Sequence, residues 1–142
     1  MQTHSMVDGK LEGDVCTYNG RGQLIERARF KAGKLDGETE VYDEHGRLAQ
    51  RVPFKDGVQE GETVIFIDGV LRAKLAYRGG KQNGISSFYD EAGRLTQKSH
   101  YKDGLMDGEA LYYDSAGKLI RKATYAKGKP VEAPSPANRV NR

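Results

Sequence analysis

Three histidines, one cysteine and the carboxylates are the groups in this chain that could carry catalysis or hold a metal. His4 lies near the N-terminus, His45 in a turn-rich stretch and His100 in a stretch of alternating character. Catalysis needs convergent groups with matched roles, and no histidine stands at a spacing that would activate Cys16. Asp36, Asp56, Asp68, Asp103 and Asp107 each directly precede a glycine, while Asp43, Asp90 and Asp114 stand a few residues before one. Turn chemistry explains such pairs without a further role. No D-x-D-x-D-G loop and no glycine–aspartate nonapeptide array is present, so repeated carboxylates do not spell calcium. The glycines recur too regularly and too far apart to cradle a phosphate. The expectation is a chain that is not an enzyme, with no catalytic residues, no cofactor and no metal.

Composition narrows the remaining classes. The chain has 142 residues, 37% of them hydrophobic, with 18 glycines and no tryptophan, which fits one domain with a small core. No apolar run approaches the roughly 18 residues of a membrane-crossing helix. Lys and Arg number 23 against 20 Asp and Glu, a balance too even to point to nucleic acid. A single cysteine forms no internal disulfide. The first residues, MQTHSMVDGK, contain no apolar signal segment, and the expected location is cytoplasmic.

Glycine spacing reveals the organisation. Gly9, Gly33, Gly57, Gly80, Gly104 and Gly128 stand 24, 24, 23, 24 and 24 residues apart, and the first five are each followed four residues on by another glycine. Tyr18, Tyr42, Phe66, Tyr89 and Tyr113 form one aromatic column, Phe30, Phe54, Tyr77, Tyr101 and Tyr125 a second, and Leu24, Leu48, Leu71, Leu95 and Leu119 a third. Internal periods of this length mark stacked architectures. The reading is an extension over 1–8, five units over 9–128 (9–32, 33–56, 57–79, 80–103 and 104–127), and a flexible proline-containing tail over 129–142.

Within a unit the period is two. Leu48, Gln50, Val52 and Phe54 alternate with Ala49, Arg51 and Pro53, which predicts a strand. Pairing Tyr42 with Leu48 leaves a three-residue loop ending in Gly46. Pairing Phe66 with Leu71 in the shorter unit leaves Asp68-Gly69, the preferred type I′ dipeptide. The missing residue thus falls in a loop and spares the strand register. Pro53 interrupts its strand and predicts a bulge or local opening, either a tolerated defect or a bent surface. The fold class expected is all-β: an elongated, twisted antiparallel sheet of five stacked hairpins of about 24 residues, stabilised by unit stacking.

The frame carried by GKLDGETEVYDEHGRLAQRVPFKDG and its relatives resembles the MORN-repeat variant family in its bacterial form, over residues 9–128. That resemblance implies stacked hairpin sheets with no catalytic motif. It further implies an antitoxin or immunity protein that binds a cognate protein toxin; the alternative is a scaffold or a module for anionic phospholipid surfaces.

Strict alternation would place the aromatic and leucine columns on one face with Ala28, Val52, Leu75 and Ala123. The opposite face would then combine cations with large apolar residues. Its candidate partner-binding residues are Arg27, Arg29, Arg51, Ile65, Arg72, Lys74, Phe88, Lys98, His100, Tyr112 and Lys122. Aromatic anchors among cations suit a protein interface, and the expected partner is acidic. Nucleic acid is not expected, because acids along the loops would repel phosphate.

Overall fold

A computed structural model of the chain describes residues 1–131. Ten long strands run antiparallel in one sheet, in sequence order: Gly13–Tyr18, Leu24–Lys31, Gly37–Tyr42, Leu48–Lys55, Gly61–Ile67, Val70–Arg78, Gly84–Tyr89, Leu95–Lys102, Leu105–Tyr113 and Leu119–Ala126. At about 4.8 Å per strand the ladder spans roughly 45 Å. Among the described residues there is no helix.

The predicted registers are present. Tyr42 pairs with Leu48, and Asp43 N–H donates to the Arg47 carbonyl at 2.8 Å around the three-residue loop. Phe66 pairs with Leu71 and Ile67 with Val70. Asp68 and Gly69 both take positive φ, 52° and 80°, as a type I′ turn requires. Longer loops are closed by the aspartate itself: Asp43 Oδ1 accepts from the amides of His45 and Arg47 at 2.8 and 2.9 Å.

The second turn of each unit explains the glycine ruler. Asp56-Gly57, with φ of 50° and 84°, folds Val58–Gln59 back onto Phe54 and Lys55. Gly57 N–H then bonds the Leu35 carbonyl of the preceding unit at 2.7 Å, and Gly33, Gly80, Gly104 and Gly128 make the equivalent bond. Unit thereby clips to unit along one rim. Several acids serve the same rim, since Glu12 and Glu60 accept from the turn amides of Ala32 and Gly79, each at 3.0 Å.

Both ends continue the pattern. Gln2–Thr3 pairs with Cys16 and Thr17 in the register that Glu26 and Arg27 use on Val41 and Glu40. The stretch 1–8 therefore includes the second strand of a partial unit. At the other end Lys129–Pro130 pairs with Tyr125 and Ala126, and Val131 N–H bonds the Thr124 carbonyl at 2.7 Å. Residues 129–131, expected in the tail, are thus paired with the sheet; the rest of the expected tail, 132–142, lies outside the described residues.

The expected division into faces fails. Every long hairpin shifts register just before its loop, between Thr17 and Tyr18, Val41 and Tyr42, Ile65 and Phe66, Phe88 and Tyr89, and Tyr112 and Tyr113. Val41 faces Gln50, yet Tyr42 faces Leu48, so Ala49 is a bulged extra residue. A bulge sets two residues against one and resets the alternation. The Tyr18–Tyr113 column and the leucine column consequently join the cations. Phe30, Phe54, Tyr77, Tyr101 and Tyr125 stay on the other face with Val41, Ile65, Phe88 and Tyr112. Burial is greatest on this aromatic face, at small residues: Ala110 and Ser86 at 0% exposure and Ser99 at 1%. No larger side chain is fully buried among the described residues, as a single-layer sheet dictates.

The bulge predicted at Pro53 is not there. Pro53 pairs with Glu38 within the strand. Its carbonyl accepts Glu60 N–H at 3.1 Å, so its nitrogen faces the same inter-unit side. Pairing to the next unit there is confined to Gln50 and Arg51, and a missing donor beyond them breaks no ladder.

Candidate functional site

The register shifts separate the predicted partner-binding residues into three groups. Arg27, Arg29, Arg51, Lys74, Lys98, His100 and Lys122 share the cation face. Ile65, Phe88 and Tyr112 lie on the aromatic face instead; the Arg121 guanidinium sits 4.9 Å from the Tyr112 ring centroid. Arg72 is the bulged residue of its hairpin, and its Nε donates to the Tyr89 carbonyl at 2.8 Å. It ties unit three to unit four rather than standing free.

Cross-strand pairs on the cation face align into one transverse row. Arg27 pairs with Glu40, Glu40 with Arg51, Arg51 with Val64, Val64 with Lys74, and so on through Ser87, Lys98 and Leu111 to Lys122. A cation thus stands on every second strand, at a pitch of about 9.5 Å. The first stretch is neutralised internally. Glu40 Oε1 lies 3.3 Å from Arg27 and accepts the Tyr42 hydroxyl at 3.0 Å. Arg51 is 3.7 Å from Glu38, and Arg29 is 3.4 Å from Asp14. Hydrogen bonding with Cys16, then the neighbouring Tyr42, holds the Arg27 guanidinium above its ordinary range, while burial and the Glu40 bond raise the Tyr42 hydroxyl.

Further along, the acids disappear from the row. Val64, Ser87 and Leu111 replace the position of Glu40, and among the described residues neither Lys74 nor Lys98 has a carboxylate within ion-pair distance. Lys122 regains one, Glu109 at 3.5 Å. Phe66, Tyr89 and Tyr113 flank the row toward the hairpin loops.

Sequence reasoning found the cations but missed Glu40, Ser87 and the flanking rings as their neighbours. The aromatic face offers one shallow depression of about 310 Å³, lined chiefly by Leu11, Val15, Ala28, Phe30, Leu35 and Phe54. Among the described residues no three His, Cys, Asp or Glu side chains gather as metal ligands do.

The family model described as the MORN repeat variant matches residues 35–56, 82–103 and 106–127. These are MORN-variant repeats. Units 9–32 and 57–79 share their strand registers, and 9–32 also the three-residue loop that 57–79 shortens to two. MORN repeats are generally non-catalytic modules for binding or scaffolding. No curated protein matches the chain in sequence. A crystal structure of a protein of unknown function from Bacteroides fragilis is 13% identical over 91% of this chain and 94% of its own, with a TM-score of 0.23. That likeness carries no functional argument.

Proposed function

We propose that this MORN-repeat sheet is a non-catalytic antitoxin or immunity protein, which binds a cognate protein toxin and blocks it by occlusion. The observation that carries the reading is the transverse row: one cation per unit at constant pitch, flanked by a half-buried aromatic column. Arginine and aromatic side chains are the groups that anchor protein interfaces. Hydrogen bonds clipping unit to unit hold the row before any partner arrives, so little ordering cost accompanies binding. Complementary charge on the partner would speed capture.

The test is a pull-down from the native host with the intact chain as bait, read by mass spectrometry. A one-to-one complex that survives physiological salt and is lost on reversing charge at Arg51 and Lys74 is the expected result. Absence of a protein partner, together with salt-sensitive capture of anionic vesicles, overturns the reading in favour of a lipid-surface module.

A further inference from the structure

The row contains its own precedent for what an external ligand would do. At its first stretch a carboxylate, Glu40, occupies the strand between Arg27 and Arg51. Two units on, the same position is Ser87, between Lys74 and Lys98. The lysine backbones there stand about 9.5 Å apart, each about 4.8 Å from the serine strand. A small hydroxyl replaces a carboxylate, so the space and the positive potential that Glu40 fills at one place are left open at the other.

We propose that this position receives a carboxylate from an acidic, extended segment of a partner protein, seated between Lys74 and Lys98 with the Ser87 hydroxyl as an additional donor. The inference rests on the protein-binding reading above and specifies its chemistry. Charge complementarity favours an acid, because among the described residues Lys74 and Lys98 have no carboxylate within ion-pair distance. Pitch favours an extended chain of one kind. A polyproline II segment repeats its side-chain direction every three residues, a rise of about 9.3 Å, close to the spacing of cations along the row. A flat β-strand repeats every two residues, about 6.8 Å, and drifts out of step. Acids three residues apart would therefore keep step with the row, one seated at Ser87 and the next passing over Leu111 between Lys98 and Lys122. Leu111 fills its own position and Lys122 already holds Glu109, so the open gap is the one at Ser87.

The experiment titrates the full chain, labelled with nitrogen-15, with a blocked peptide of three Glu-Pro-Pro repeats, and with a Gln-Pro-Pro control. Amide shifts should concentrate at Lys74, Ser87 and Lys98 and be absent with the control. Ser87→Glu recreates the internal bridge and should weaken peptide binding about tenfold or more, the scale of one lost charge-assisted contact. Glu40→Ser opens the equivalent gap and should strengthen binding or add a second site. Unchanged melting temperatures for both variants establish that the surface alone was altered. The proposal is overturned if both variants bind as the unaltered chain does, if shifts fall elsewhere, or if an oligonucleotide or anionic vesicle binds more tightly than the peptide at physiological salt. A host partner captured equally well by the Ser87→Glu chain sinks this site and leaves the protein-binding reading intact. Failure to capture any protein sinks that reading, and the peptide titration then decides the row on its own.

Discussion

Gly108 offers a severe check on how units stack. It sits at φ 111°, and a Cβ placed there would lie 3.1 Å from the Cβ of His100 on the preceding strand. Gly108→Ala therefore incurs two costs. Backbone strain in a glycine-only region is about 1–3 kcal/mol. Crowding against a Cβ, which no rotamer change can withdraw, adds about 1–3 kcal/mol. Gly117 is the control: its φ is 84°, but a Cβ there meets nothing within 4 Å. Gly117→Ala should cost only the left-handed strain, about 1–2 kcal/mol. The expected gap is about 2 kcal/mol, or roughly 1 M in the urea midpoint at an ordinary slope. Far-UV circular dichroism against urea measures it. Because repeat stability is a sum of units and interfaces, hydrogen exchange in Gly108→Ala should quicken first at the boundary of units four and five. Adding His100→Gly should restore the crowding part and leave the φ part. Equal losses at Gly108 and Gly117, or no recovery in the double variant, would refute this account of the second glycine column.

Two core substitutions should move in opposite directions. Thr39 is buried with an unpartnered hydroxyl where other units carry Val15 and Ala110, so Thr39→Val should gain about 1 kcal/mol in urea unfolding; a loss of that size contradicts the orphan. Ser99, 1% exposed and accepting the Gln97 amide at 2.8 Å, should lose about 1–3 kcal/mol as Ser99→Val. Acid stability should depend on the loop aspartates. Amide bonds, from Arg47 to Asp43 and Arg94 to Asp90 first, hold both carboxyls below their ordinary range. Their contribution is thus present above the unfolded carboxylate pKa of about 3.9 and is lost as pH falls through the lower folded values. Melting temperature followed from pH 7 to pH 2 should fall less in Asp43→Asn/Asp90→Asn than in the unaltered chain, and an identical slope would exclude that linkage.

Repeat, hairpin register and loop type were all legible because each rests on local chemistry. The Asp68-Gly69 dipeptide dictates its turn, and the Tyr42–Leu48 pair follows from counting across the loop. The faces were not legible, because a bulge is a backbone event with no residue signature here: Ala49, Arg72 and Thr96 occupy equivalent positions and share no chemistry. Parity was read straight through them, so the Tyr18–Tyr113 and leucine columns, on the loop side of the bulge, were placed on the wrong face, and with them Ile65, Phe88 and Tyr112. The cations escaped that error, since Arg27, Arg51 and Lys74 lie past the bulge and are paired with one another's neighbours by uninterrupted ladders. Acids in the loops were seen as turn formers, and Asp43 is one. The part played by Glu12 and Glu60 in capping the next unit's turn needs a contact across roughly twenty residues, which no local pattern announces.

The same bulge explains how one layer can stand without a second. A strictly alternating sheet would gather both aromatic columns and the leucines on one side, an apolar expanse that demands a cover. Resetting parity before each loop divides them. One face keeps a ring column over small buried residues at mid-strand; the other keeps rings and leucines near the loops. Each column buries itself against its copy in the next unit, so stability is drawn from stacking along the ladder and not from any covering layer. Past Arg51 the middle of the cation face carries neither a ring column nor, among the described residues, an ion pair until Lys122 meets Glu109. Cys16, Glu40, Val64, Ser87 and Leu111 occupy one equivalent position with a thiol, a carboxylate, a hydroxyl and two aliphatic side chains, while the glycine turns that clip the units keep their geometry. At Ser87, which makes no side-chain hydrogen bond among the described residues, a substitution changes what stands between Lys74 and Lys98 while the clip bonds that join the units stay in place.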